Sequence, residues 1–160
     1  MNALRIVERG HQNFLDTLKD LPENKWTDGF VTGSWTVKDV ISHLATYEAL
    51  QVEAFRKSLD PGAPTPLLDQ KAKGSFLEFN DWRWSGEKEK KWQEVLSEYN
   101  SSFAELKGIV EKIPRETMAK PSTATWYGES SELDDIIALN FGHKKHHLAQ
   151  IKLFRQRNEI

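Results

Sequence analysis

Phe141-Gly-His-Lys-Lys-His-His-Leu-Ala-Gln-Ile151 gathers three of the chain's five histidines into five residues. It lies in a segment where Leu133, Ile136, Ile137, Asn140, His147, Leu148, Ile151 and Phe154 recur at three- and four-residue steps, the period of an amphipathic helix. The spacing predicts a helix from about Glu132 to Arg157, opened by a capping signal at Ser131-Glu-Leu-Asp134. At ~100° per residue, His143 and His147 differ by only ~40° around that helix and can chelate one ion. His146 is rotated by ~100° from His147 and is left out of the pair.

The same period recurs upstream. Leu4, Val7, His11, Phe14, Leu18 and Leu21 mark a first helix that Pro22 helps to end, with His11 read as a core histidine. Thr36-Val-Lys-Asp39 is a capping signal for a second helix carrying Val37, Val40, Ile41, Leu44, Val52 and Phe55, with His43 on the flank of its apolar face and Tyr47 one turn on. Trp92, Val95, Leu96, Tyr99, Phe103, Leu106, Val110 and Ile113 form a third stripe, closed by Pro114; the charge run Glu87-Lys-Glu-Lys-Lys91 before it reads as a solvated first turn.

Four such helices with little strand signal make an all-α, four-helix bundle, taken as one domain over residues 1–160. From Leu59 to Gly86 the period fails, and Asp60-Pro-Gly-Ala-Pro-Thr-Pro66 cannot be helical. This is a long crossover between helices two and three, expected to fold over the bundle with at most one short helical turn. Its length permits an up-down-down-up order.

Composition narrows the chemistry. With 160 residues, a net charge of −2 and no cysteine, the chain has no basic excess for nucleic acid, no disulfides and no thiolate zinc site. No apolar run approaches the ~18 residues of a membrane span. The N-terminus mixes charges with apolar residues, unlike a signal peptide, so the expectation is a cytoplasmic protein. His, Asp and Glu remain as metal ligands, and His43 is the natural third partner for His143 and His147. Three imidazoles from two helices leave coordination open, as catalytic zinc sites do. Nitrogen ligation suits Zn, Ni, Co, Cu or Fe over Mg or Ca.

Two stretches, Gly33-Ser-Trp35-Thr-Val-Lys-Asp39-Val-Ile-Ser-His43-Leu-Ala and His143-Lys-Lys-His146-His147-Leu-Ala-Gln150, resemble those of the DinB/YfiT-like superfamily. That resemblance implies an up-down-down-up bundle with a divalent metal on His43, His143 and His147. It also implies relatives that include bacillithiol-dependent S-transferases and mycothiol-dependent isomerases. Where the family often has Arg-Gly after the paired histidines, this chain has Leu148-Ala149, and Lys144 and Lys145 read as exposed, solubilising residues.

The expected function is a metal-dependent enzyme, with Zn or Ni the leading ions, that activates a thiol (S-transferase type) or water (hydrolase type) against a small electrophilic substrate. A low-molecular-weight thiol is then a co-substrate, and a stress-response role fits. Tyr47 and Asn140 are candidates to orient ligands, and Trp82, Trp84, Trp126 and Tyr127 to wall a pocket. The alternative is a non-enzymatic protein of the same fold that sequesters a small molecule. A homodimer is the third expectation.

Overall fold

A computed structural model describes residues 2–122 and 131–160. Within them the chain is helical: α1 (Ala3–Leu18), a 3-10 turn (Glu23–Trp26), α2 (Val37–Leu59), α3 (Pro66–Lys71), α4 (Phe76–Glu87), α5 (Trp92–Val110), α6 (Arg115–Met118) and α7 (Leu133–Arg157). No strand occurs among the described residues beyond two isolated bridges, Thr32 with Trp35 and Pro121 with Glu132.

Each long helix begins where a side chain satisfies its free N–H groups. Asn2 accepts from the backbone N–H of Arg5 at the head of α1. Thr36 and Asp39 form a reciprocal capping box on α2. At α7 the box is made by Glu132 and Asp135 instead of Ser131. The carbonyl of Ser131 is already bonded to the N–H of Ser122 in the bridge, which delays the helix by one residue. The first helix stops at Leu18, short of the predicted stripe, because Asp20 turns into the left-handed region at φ 57°. Leu21 still reaches the core.

The crossover departs most from expectation. In place of one short turn it holds two helices. Ser75 and Glu78 cap α4, and the buried carboxylate of Glu53 on α2 accepts from the N–H groups of Leu67 and Leu68 at 2.9–3.1 Å, pinning the start of α3. The charge run is also not a solvated first turn. Glu87 is buried between Arg83 and Lys90, and α5 starts after it, at Trp92.

α2 packs against α5 and α7, and α1 against the same two helices. Two apolar clusters fill the space between them. One joins Phe14, Leu18, Val37, Ile41, Leu44, Tyr99, Ile151 and Phe154; the other joins Val7, Leu50, Phe55, Leu106, Val110, Leu133 and Ile136. A fully buried Phe, Leu or Ile among them contributes about 1.5–3 kcal/mol. The first cluster unites the end of α1 and of α7 with the start of α2 and of α5. His43, in the second turn of α2, and His147 are positioned just beside it.

A three-histidine centre and its cleft

Capping fixes where α2 begins and therefore where its side chains point; His43 is held against Trp35 and Tyr47, with ring centroids 4.9 and 4.6 Å away. Trp35 is delivered by a tight turn in which its N–H bonds the Thr32 carbonyl at 2.9 Å and Gly33 takes φ 53°, a conformation glycine adopts without steric cost. On α7, His143 and His147 lie one turn apart with their rings edge-on, centroids 4.7 Å apart.

The three imidazoles meet. Nε2 of His143 lies 2.9 Å from Nε2 of His43 and 3.0 Å from Nε2 of His147. Among the described residues these three form a group able to hold a metal ion. The donor set fits a cation. Nδ1 of His147 is 2.8 Å from Oε1 of Gln150, whose amide nitrogen in turn donates to Thr32 Oγ1 at 3.3 Å. An amide oxygen only accepts, so Nδ1 carries the proton and Nε2 presents a lone pair to the centre.

Burial disfavours the charged form of each ring. It brings His43 down to about 2, with His143 and His147 adding repulsion. His143 falls to about 3 through burial, then through His147 and His146. His147 falls to about 4, again chiefly by burial. At neutral pH all three are therefore uncharged and available as ligands. His146 is exposed, with only its ring edge against His147. His11 lies apart from the centre, stacked on Phe103 at 3.7 Å and on Tyr99 at 4.8 Å.

Beside His43 lies a narrow cleft lined by Trp35, Asp39, Ser42, Thr46, Asn80, Arg83 and Trp84, whose empty volume of about 250 Å³ includes the space open to solvent at its mouth. Tyr47 contacts both His43 and His143 and donates from its hydroxyl to Asn80 Oδ1 at 3.1 Å. Trp84 lines the cleft. Trp82 does not; it is 46% exposed and packs on Phe79. Asn140 is buried on the other side of α7, with Glu48, Gln51 and Lys144. Trp126 and Tyr127 lie outside the described residues.

Lys144 corrects the sequence reading. It is buried and ion-paired with Glu48, which has no exposed surface, while Lys145 is exposed as expected. Helical rotation separates the two neighbours by ~100° and sends one inward.

Sequence reading assigned no role to Gln150, Asn80 or Arg83. The last two had a signal: Ser75-x-x-Glu78 caps a helix on which Asn80, Arg83 and Trp84 fall at helical spacing.

Among the described residues no helix is long and apolar enough to cross a membrane. No curated protein matches the sequence. The fold is similar to the crystal structure of a Streptococcus pneumoniae protein, with a TM-score of 0.77 and 14% identity over 96% of this chain and 88% of that one. At that identity the likeness concerns the fold alone. The sequence itself matches the family model of the DinB superfamily over residues 6–151. By that match, which takes in both halves of the histidine centre, this chain belongs to the DinB superfamily.

Proposed function

We propose that His43, His143 and His147 bind one divalent transition metal, Zn or Ni, and that the protein is an enzyme acting on a small electrophilic molecule by thiol transfer or by hydrolysis. The carrying observation is the convergence of three uncharged imidazoles, one buried and two half-buried, with Nε2 separations of 2.9 and 3.0 Å beside a cleft. When bound, such an ion supplies Lewis acidity, which lowers the pKa of a coordinated thiol or water.

The chain's own residues have separable duties in this reading. Gln150 fixes the tautomer and ring orientation of His147. Trp35 and Tyr47 flank His43 and limit its rotation. The cleft admits the substrate from the side of α4, and Trp84 shields it from bulk water. The bundle is read as up-down-down-up, supported by the cluster that unites the end of α1 with the start of α2, the start of α5 and the end of α7.

Elemental analysis tests the proposal. It should find close to one transition metal per chain, lost in His43→Ala and His147→Ala and kept in His146→Ala. Metal at a hundredfold excess over its dissociation constant should stabilise the fold by about 2.7 kcal/mol. Metal-free protein whose melting temperature ignores chelator, zinc and nickel alike would sink the reading.

A further inference from the structure

The crossover does more than cover the bundle. α4 is hooked onto the histidine-bearing turns of α2 by two polar contacts: Asn80 accepts from Tyr47, and Arg83 donates from Nε to Thr46 Oγ1 at 3.0 Å. Thr46 is three residues beyond His43, ~4.5 Å along the axis of α2, and both side chains line the same cleft as Arg83. A second contact, from Nη1 of Arg83 to Glu87 at 2.9 Å, holds the group from behind. These bonds use two of the five N–H donors that a guanidinium carries. The side chain is 29% exposed, at the cleft.

Two further donors share the lining. Trp84 Nε1 is buried and has no hydrogen-bond partner, a cost that a native site tolerates when a ligand supplies the acceptor. Asn80 has its oxygen engaged by Tyr47, so N–H is what it offers the cleft. The one carboxylate in the lining, Asp39, is committed to the α2 cap, where Oδ2 accepts from the backbone N–H and the hydroxyl of Thr36 at 2.9 and 2.8 Å. Trp35 and Trp84 supply apolar walls.

Resting on the proposed reading of the centre, we infer that this cleft selects a small substrate with a carboxylate on an apolar body. Arg83, Asn80 and the indole N–H of Trp84 receive the carboxylate, and the rest of the molecule faces His43. A planar, two-oxygen acceptor matches the fork geometry of a guanidinium.

Benzoate and its neutral isostere benzamide are the probes, titrated calorimetrically into the protein as purified and again after chelator treatment. Benzoate should bind about tenfold more tightly than benzamide in both preparations. Arg83→Gln should remove that preference, the order of effect expected for one charge-assisted hydrogen bond, without changing metal stoichiometry. Trp84→Phe, which keeps the wall and deletes the N–H, should weaken benzoate severalfold and the neutral benzamide less, since a hydrogen bond to a charged acceptor is the stronger; it carries the test if Arg83→Gln fails to fold. Equal binding of the two probes, or undiminished benzoate affinity in the folded variants, overturns the inference. Metal bound without benzoate preference defeats this inference alone, whereas benzoate preference in a chain that takes no metal defeats the metal reading alone.

Discussion

Lys144 and Lys145 are adjacent and chemically identical, yet one is enclosed with Glu48 in the bundle interior and the other is solvated. Burial pulls the ammonium of Lys144 below the usual lysine range, and the facing carboxylate is what keeps a charge there tolerable. Gln51 adds a donor to Glu48 at 3.1 Å. Lys144→Met should therefore cost about 3–5 kcal/mol in urea unfolding, because it strands a buried carboxylate. Lys145→Met should change stability by less than about 0.5 kcal/mol. The paired variant Glu48→Leu with Lys144→Met should recover most of the loss; if it is as unstable as the single variant, the ion pair is not the source. At the three-histidine centre Gln150→Leu is the corresponding probe. It leaves all three imidazoles in place but frees His147, and metal affinity should fall about 10- to 100-fold with little change in the melting temperature of the metal-free protein. The pair His143 and His147 was legible because spacing on one helix reports rotation, whereas His43 was offered by its place on the flank of the second helix and by the family resemblance. The sequence did not make the partners of Lys144 legible, since only the packing of α7 on α2 decides which flank of the stripe is enclosed.

At the scale of elements, the long helices were readable and the crossover was not, for one physical reason. α1, α5 and α7 bury a continuous stripe and α2 is buried on nearly every side from Val37 to Phe55, whereas α4 distributes Phe76, Leu77, Phe79, Trp82 and Trp84 around its circumference, so no single face repeats. Phe79 is buried while Leu77 is 70% exposed. The capping box at Ser75 and Glu78 was the surviving local signal, as strong in type as that at Thr36 and Asp39. The two boxes should nevertheless respond differently to truncation. Thr36→Ala removes the cap of a helix packed against both α5 and α7 and should lower global stability by about 1 kcal/mol. Ser75→Ala should act locally, since α4 leans only on α2 and α3 among its stronger contacts. Amide hydrogen exchange should quicken in residues 76–87 while α5 and α7 keep wild-type protection. Uniformly faster exchange across all the helices would show that α4 is integral to the cooperative core.

Across the whole molecule, four histidines from three helices are buried or half-buried in forms that resist protonation, and this ties the stability of the fold to pH. His11 is brought down to about 4, by burial first and by the charge of Lys144 second, against an ordinary value of 6.5. His147 falls to about 4, His143 to about 3 and His43 to about 2. In each case the unfolded chain binds a proton at a higher pH than the folded one. Between the two values the unfolded state holds more protons, so stability rises with pH. The metal-free protein should thus have its full histidine-linked stability above pH 6.5 and lose it progressively as pH falls from 6.5 toward 4 and below. His11 separates the core contribution from that of the centre, because its ring stacks on Phe103 and touches none of the three converging imidazoles. In His11→Phe, which preserves a planar apolar ring, the drop in urea midpoint between pH 7 and pH 4.5 should be smaller than in wild type. The difference between the two proteins should be confined to the interval below pH 6.5, where the unfolded-state histidine titrates. Bound metal should deepen the remaining dependence, since it binds only the folded, unprotonated centre. If the midpoint is flat from pH 7 to pH 4.5, or if His11→Phe leaves the slope untouched, then His11 is protonated within the fold and its place between Tyr99 and Phe103 is not the uncharged stack that the geometry implies.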